Sequence, residues 1–274
     1  MRAWVAALGL VGMSLGLSVG ISGTAWAADP PALVRARTHY NAGNYAAAIE
    51  AAAEARRNAA AAPAAALVLA RAHLEQFRVT RGADDLTAAR EALLSIAPAR
   101  LGPRDQVDLL VALGQALFLD DAFGAAAEVF DSALSRSGLL PARDRTRLLD
   151  WWAAALDREA QSRPADRREV VYARIVDRME DVLRAAPESA PGNYWLASAL
   201  RGAGDLERAW DAAVAGWVRV TGDPAVAGEV RPDLDRLVSQ ALVPERARQR
   251  PAREQMDALT ALRAVWDQIK AQWP

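Results

Sequence analysis

The chain has 274 residues with 33 basic and 34 acidic side chains, a net charge of −1, and no cysteine. Near-neutrality argues against a nucleic-acid binder, which needs a basic face for the phosphates. The absent cysteine excludes disulfides, thiolate metal sites and acylation of a lipoprotein signal.

Residues 1–27 carry one positive charge at Arg2, an apolar run from Ala3 to about Ile21 and the small-x-small tripeptide Ala25-Trp26-Ala27. That order reads as a secretory signal peptide cleaved after Ala27. The run approaches the length of a bilayer-spanning anchor, but its glycines and serines dilute it. The expected location is therefore exported, periplasmic or extracellular, with no stable membrane insertion after cleavage.

From residue 28 onward, apolar and alanine positions recur at helical spacing in blocks of about 12 to 22 residues. Strand and hairpin signals are missing, so the fold class is all-α. Short turn elements, Asn41-Ala42-Gly43-Asn44, Asp120-Asp121 and Gly202-Ala203-Gly204-Asp205, join the blocks into antiparallel hairpins.

Three hairpins, 32–55, 110–133 and 193–216, superimpose: a small residue on the first helix stands 12 positions before an alanine on the second, pairing Ala36 with Ala48, Gly114 with Ala126 and Ala197 with Ala209. Small residues there allow close approach of two helices, and Tyr45, Phe123 or Leu206 fills the space above the turn. Ala70 lies 34 residues after Ala36, but its partner Ala89 follows 19 residues later. The extra residues around 78–85 lengthen either the turn or the first helix. Between the regular units, long helices are expected over about 141–161 and 165–186.

This series resembles the tetratricopeptide family, whose 34-residue unit carries small, aromatic and alanine signatures in that order. The hairpin with Leu113, Gly114, Ala126, Phe130 and Ala133 is the best match. The resemblance implies a right-handed α-solenoid over residues 28–221, about five hairpins of which two are divergent, used for binding proteins.

Residues 222–274 form a C-terminal helical extension. Asp223-Pro224 opens a helix to about Leu242, Val243-Pro244 is expected to break it, and a polar arginine-rich stretch over 245–253 leads to a last helix over 254–272. Leu259, Leu262, Trp266 and Ile269 form one stripe on that helix, suited to capping the repeats.

Candidate sites are few. His39 and His73 hold equivalent positions in the first two hairpins, but no further ligand accompanies them, so packing is expected and neither metal nor cofactor is. The pairs Asp84-Asp85 and Asp120-Asp121 sit at turns or helix starts, where carboxylates cap, and Glu180-Asp181 shows no sign of a catalytic cleft. No nucleophile elbow, zincin or phosphate-loop motif occurs, and no enzyme activity is expected.

Tryptophan and arginine concentrate on the divergent hairpin. Trp151, Trp152, Arg143, Arg147, Arg167, Arg168 and, on the next hairpin, Trp195 make a candidate partner-binding groove. Ala36, Ala48, Ala70, Ala89, Gly114, Ala126, Ala197 and Ala209 are the repeat-packing positions. The expected function is a non-catalytic extracytoplasmic scaffold for a protein or peptide partner in a cell-envelope or secretion assembly. The alternative is an envelope small-ligand or glycan-binding module that uses the Trp/Arg-lined groove.

Overall fold

The computed structural model describes residues 30–274, all of them in helices or the turns between helices, with no strand among the described residues. The signal segment and its cleavage site lie outside the described residues. The described chain falls into two compact units, 30–116 and 117–274. No helix among the described residues is long and apolar enough to cross a membrane.

The first unit contains α1 (Pro31–Asn41), α2 (Tyr45–Ala55), α3 (Ala62–Thr80), α4 (Ala83–Leu94) and most of α5 (Pro103–Leu119). α1 packs on α2, α2 on α3, α3 on α4, and α1 also touches α3. Alanine makes this possible. Ala36, Ala48, Ala70 and Ala89 are fully buried, so backbones approach where longer side chains would hold them apart. The extra residues of the second hairpin lengthen its first helix rather than its turn: α3 runs 19 residues and Arg81-Gly82 alone lead into α4.

The second unit begins at the end of α5 and continues through α6 (Phe123–Leu134), α7 (Ala142–Ser162), α8 (Ala165–Ala185), α9 (Ala190–Gly202), α10 (Leu206–Arg219), α11 (Pro224–Leu237), α12 (Val243–Arg248) and α13 (Gln255–Gln272). Each helix from α6 to α11 packs on the next, and α9 additionally touches α7 on one side and α11 on the other. Ala126, Ala197 and Ala209 are fully buried in this unit, as Gly114 is in the first.

Three turns share one hydrogen-bond pattern. The N–H groups of Asn44, Ala122 and Asp205 bond to the carbonyls of His39, Leu117 and Leu200, while Gly43, Asp121 and Gly204 bond to Tyr40, Phe118 and Arg201. This is a left-handed helix end of the Schellman type, and the residues at its turning point have positive φ: Gly43 +76°, Asp121 +59° and Gly204 +88°. The matched positions are those that align in sequence, so repeat register and backbone geometry agree.

The C-terminal extension departs from expectation at Val243-Pro244. The helix is not broken there; α11 passes through a π-helical turn, Val238–Leu242, directly into α12. Proline removes a backbone donor, and the wider turn takes up the resulting slip in register. Val238, Leu242 and Val243 are fully buried, and their packing holds the segment helical.

At the start of α11, Asp223 Oδ1 accepts from the N–H groups of Ala225 and Val226, 3.0 and 3.2 Å away. Asp223→Ala is expected to cost about 1 kcal/mol, measurable as a lower urea midpoint with an unchanged slope. An unaltered midpoint would mean that Pro224 alone sets this helix start.

Candidate functional site

α7, α9 and α11 lie side by side in the second unit, and their common face carries the least expected group of side chains. Tyr194 on α9 stands in the electrostatic range of three carboxylates: Asp233 on α11 and Asp157 and Asp150 on α7. All four residues are half-buried.

Asp150 accepts from the Trp195 indole N–H at 2.6 Å, and Asp157 accepts from the Tyr172 hydroxyl at 3.1 Å and the Gln161 amide at 2.6 Å. Neither has a basic residue in ion-pair contact among the described residues. Burial pushes both carboxyls above their ordinary range, and the Asp233 charge adds to the effect on Asp150. Burial and the same carboxylates push the Tyr194 phenol upward too.

Cations stand around this face, and Arg236 already pairs with Asp233 at 2.8 Å. Arg201, at the end of α9, forks onto Glu245 of α12 with contacts of 2.8 and 2.5 Å. The Glu245 hydrogen bonds raise its pKa further, and its charge reaches Asp157, lowering that group.

Because Asp150 holds its proton more tightly in the folded chain, stability falls as pH rises above the ordinary carboxylate value near 3.8. Asp150→Asn keeps an oxygen for the Trp195 N–H and removes the buried charge. Urea unfolding between about pH 4 and pH 7 is expected to show a flatter profile and equal or greater stability at the upper end. A variant less stable than the parent at neutral pH would refute this account of Asp150.

The seven residues expected to form a groove occupy several different surroundings. Arg143 and Arg147 are exposed in the first turns of α7, and Arg167 and Arg168 in the first turn of α8. α8 starts from the opposite end of α7, so most of the roughly 30 Å length of a 21-residue helix separates the two clusters. Trp151 packs edge-on against Phe118 with ring centroids 5.0 Å apart. Trp152 is 2% exposed beneath the Arg178 guanidinium, 5.0 Å from the ring centroid. Trp195 is buried and tied to Asp150.

Trp152 does line an open cleft of about 600 Å³ with Asp131, Arg174, Asp177, Arg178 and Asp181. Ion pairs of 2.8 Å from Arg174 to Glu128 and 2.6 Å from Arg178 to Asp131 cross between α8 and α6. The Trp152 Nε1 donor is buried without an acceptor among the described residues.

No family model matches the chain, and comparison with curated proteins gives no match.

His73, Asp85, Glu180 and Asp181 have structural partners. His73 Nδ1 lies 2.9 Å from Asp85 Oδ1 and joins α3 to α4, while His39 lies in the last turn of α1. Among the described residues no group of three His, Asp or Glu side chains is arranged to hold a metal. Asp84 and Asp85 occupy the first turn of α4, Asp121 forms the turning point before α6, and Glu180 and Asp181 pair with Arg208 and Arg184.

The face around Tyr194 escaped sequence reasoning because its members come from three helices far apart in the chain. The available signal was weak: Asp150 and Asp157 are seven residues apart and so share one side of α7, amid apolar neighbours.

Proposed function

We propose that the chain is a non-catalytic scaffold of tetratricopeptide-like hairpins stacked as a right-handed solenoid. It acts outside the cytoplasm and holds a protein partner on the face built by α7, α9 and α11. The observation that carries this reading is the set of half-buried carboxylates around Tyr194. Burial makes the charges of Asp150 and Asp157 costly, and a lysine or arginine of a docked segment would supply them with a counter-charge beside an aromatic surface.

Stacked hairpins favour such use because side chains from successive first helices form one continuous surface. The sequence pattern, the shared turn geometry and the contacts of α9 with both α7 and α11 support that stacking.

The test is binding of fluorescent nonapeptides of matched length, one rich in arginine and one rich in glutamate. The basic peptide should bind saturably, and the double variant Asp150→Asn, Asp157→Asn should weaken it about tenfold or more. Equal binding of both peptides, or no change in the variant, rejects this face as the partner site.

A second reading, an envelope glycan or small-ligand module, draws on the cleft over Trp152. A sugar ring would lie in this cleft against Trp152 while Asp177 and Arg174 bond its hydroxyls. Saturable titration by oligosaccharides that disappears in Trp152→Phe, with the basic peptide inert, would favour this reading over the scaffold.

A further inference from the structure

The arginine-rich stretch between α12 and α13 has no part in the partner face, yet it lines a pocket. Arg246, Gln249 and Arg250 from α12 and its end, Glu207 from α10, and Ala258, Ala261 and Leu262 from α13 enclose about 400 Å³. That volume suits a small organic molecule.

We propose that this pocket binds an organic anion with a single carboxylate or phosphate head and a short apolar body. Most of the nearby acidic groups are already engaged. Glu245 is taken by the fork of Arg201, and Glu254 is paired with Arg253 at 3.2 Å. Among the described residues Arg246 has only Glu207, 3.8 Å away and 84% exposed, a distance and setting in which water screens most of the attraction. Arg250 has no ion-pair partner among the described residues. The pocket therefore carries an excess of positive charge.

Its donors are also held in place. The Arg246 guanidinium lies over the Trp210 ring, 5.0 Å from the centroid, a contact that holds in place a group able to fork onto an oxyanion. The Gln255 amide donates to the carbonyls of Arg250 and Arg248, 3.1 and 3.5 Å away, and so pins the turn that presents Arg250. Opposite these groups, Ala258, Ala261 and Leu262 form an apolar wall. Head and wall together select an amphipathic anion over an inorganic one, because a bare ion gains nothing from apolar contact.

The proposal does not depend on the scaffold reading. The purified chain is titrated at constant ionic strength with hexanoate, hexyl phosphate and hexanol, followed by calorimetry and by tryptophan fluorescence, since an anion on Arg246 disturbs the ring beneath it. Saturable binding of either anion is expected, with hexanol inert, and the anion that binds identifies the head group. Arg250→Gln should weaken binding about tenfold, with its circular dichroism and melting midpoint unchanged. Arg246→Gln, which touches Trp210, should weaken binding at least as much and remove the fluorescence response. Absence of saturable binding by both anions overturns the proposal. So does unchanged binding in folded Arg250→Gln, or binding of hexanol as tight as that of the anions.

Discussion

Trp266→Ala is expected to cost about 3–5 kcal/mol, the largest loss available to a single substitution in the C-terminal extension. Trp266 is 1% exposed, with its ring edge-on to Trp217 at 5.3 Å and to Trp210 at 6.0 Å between centroids. Its N–H donates to Asp235 Oδ1 at 2.7 Å. Burial pushes the Asp235 carboxyl up, but the bonds from Trp266, Lys270 and Ser239 together with the Lys270 charge outweigh it and hold that carboxyl below its usual range. Truncation opens a cavity and removes one of these donors, while Lys270 Nζ remains 2.9 Å away.

A domain of this size has about 5–15 kcal/mol of total stability, so the urea midpoint should fall steeply. Amide exchange in α13 should also accelerate. Trp266→Phe retains most of the ring and loses only the hydrogen bond, about 1–2 kcal/mol. A loss below about 1 kcal/mol for the alanine variant would mean that α13 is held mainly by other contacts. Two are at hand: Trp217 Nε1 and Arg231 Nη2 donate to the Trp273 carbonyl at 2.8 and 3.1 Å.

Gly202→Ala tests a close approach, and its sign is informative. Helix propensity alone favours alanine over glycine by about 1 kcal/mol, and Gly202, the last residue of α9, has no positive φ. A Cβ there would sit 2.3 Å from Cζ of Tyr172 and within 2.6 Å of both adjacent ring carbons. The ring body, not a flexible tip, occupies the space. Tyr172 must move, and its hydroxyl leaves Asp157.

We expect destabilisation of about 1–3 kcal/mol, as for other overpacked cores, whereas Tyr172→Phe should cost about 1 kcal/mol. In the pair Gly202→Ala, Tyr172→Ala the two effects should be less than additive, because one removes the obstacle the other meets. A stabilised single variant would show that Tyr172 can move aside at no cost.

Much of the architecture was legible in the residues because helices and tight turns are local. The spacing of Ala36 to Ala48 and Ala197 to Ala209 follows from how two antiparallel helices meet, and each of these residues is fully buried. The i, i+7 spacing of Trp210 and Trp217 places both on one side of α10, and both meet Trp266 of the expected C-terminal stripe. The helix start at Asp223 was equally readable, since a side-chain cap needs only its next three residues.

Other features were settled by tertiary packing. Proline chemistry argues for a break at Pro244, but burial of Val238, Leu242 and Val243 on the body of the second unit outweighs it and selects a π turn. The length of α3 was open in sequence because extra residues can enter a helix or a turn with the same composition. The grouping of Trp151, Trp152 and the arginines around residues 143–168 suggested one surface, yet neighbours in sequence on a long helical hairpin are separated by its length.

Local spacing thus determined that this chain makes helices, where they pair and which small residues stand between them. Only the tertiary structure decided that Asp150, Tyr194 and Asp233 share a face, that Trp195 and Trp266 spend their N–H groups on Asp150 and Asp235, and that Arg246 and Arg250 open onto a pocket. Backbone periodicity acts over a few residues, whereas charge and hydrogen bonding act through space between helices far apart in the chain.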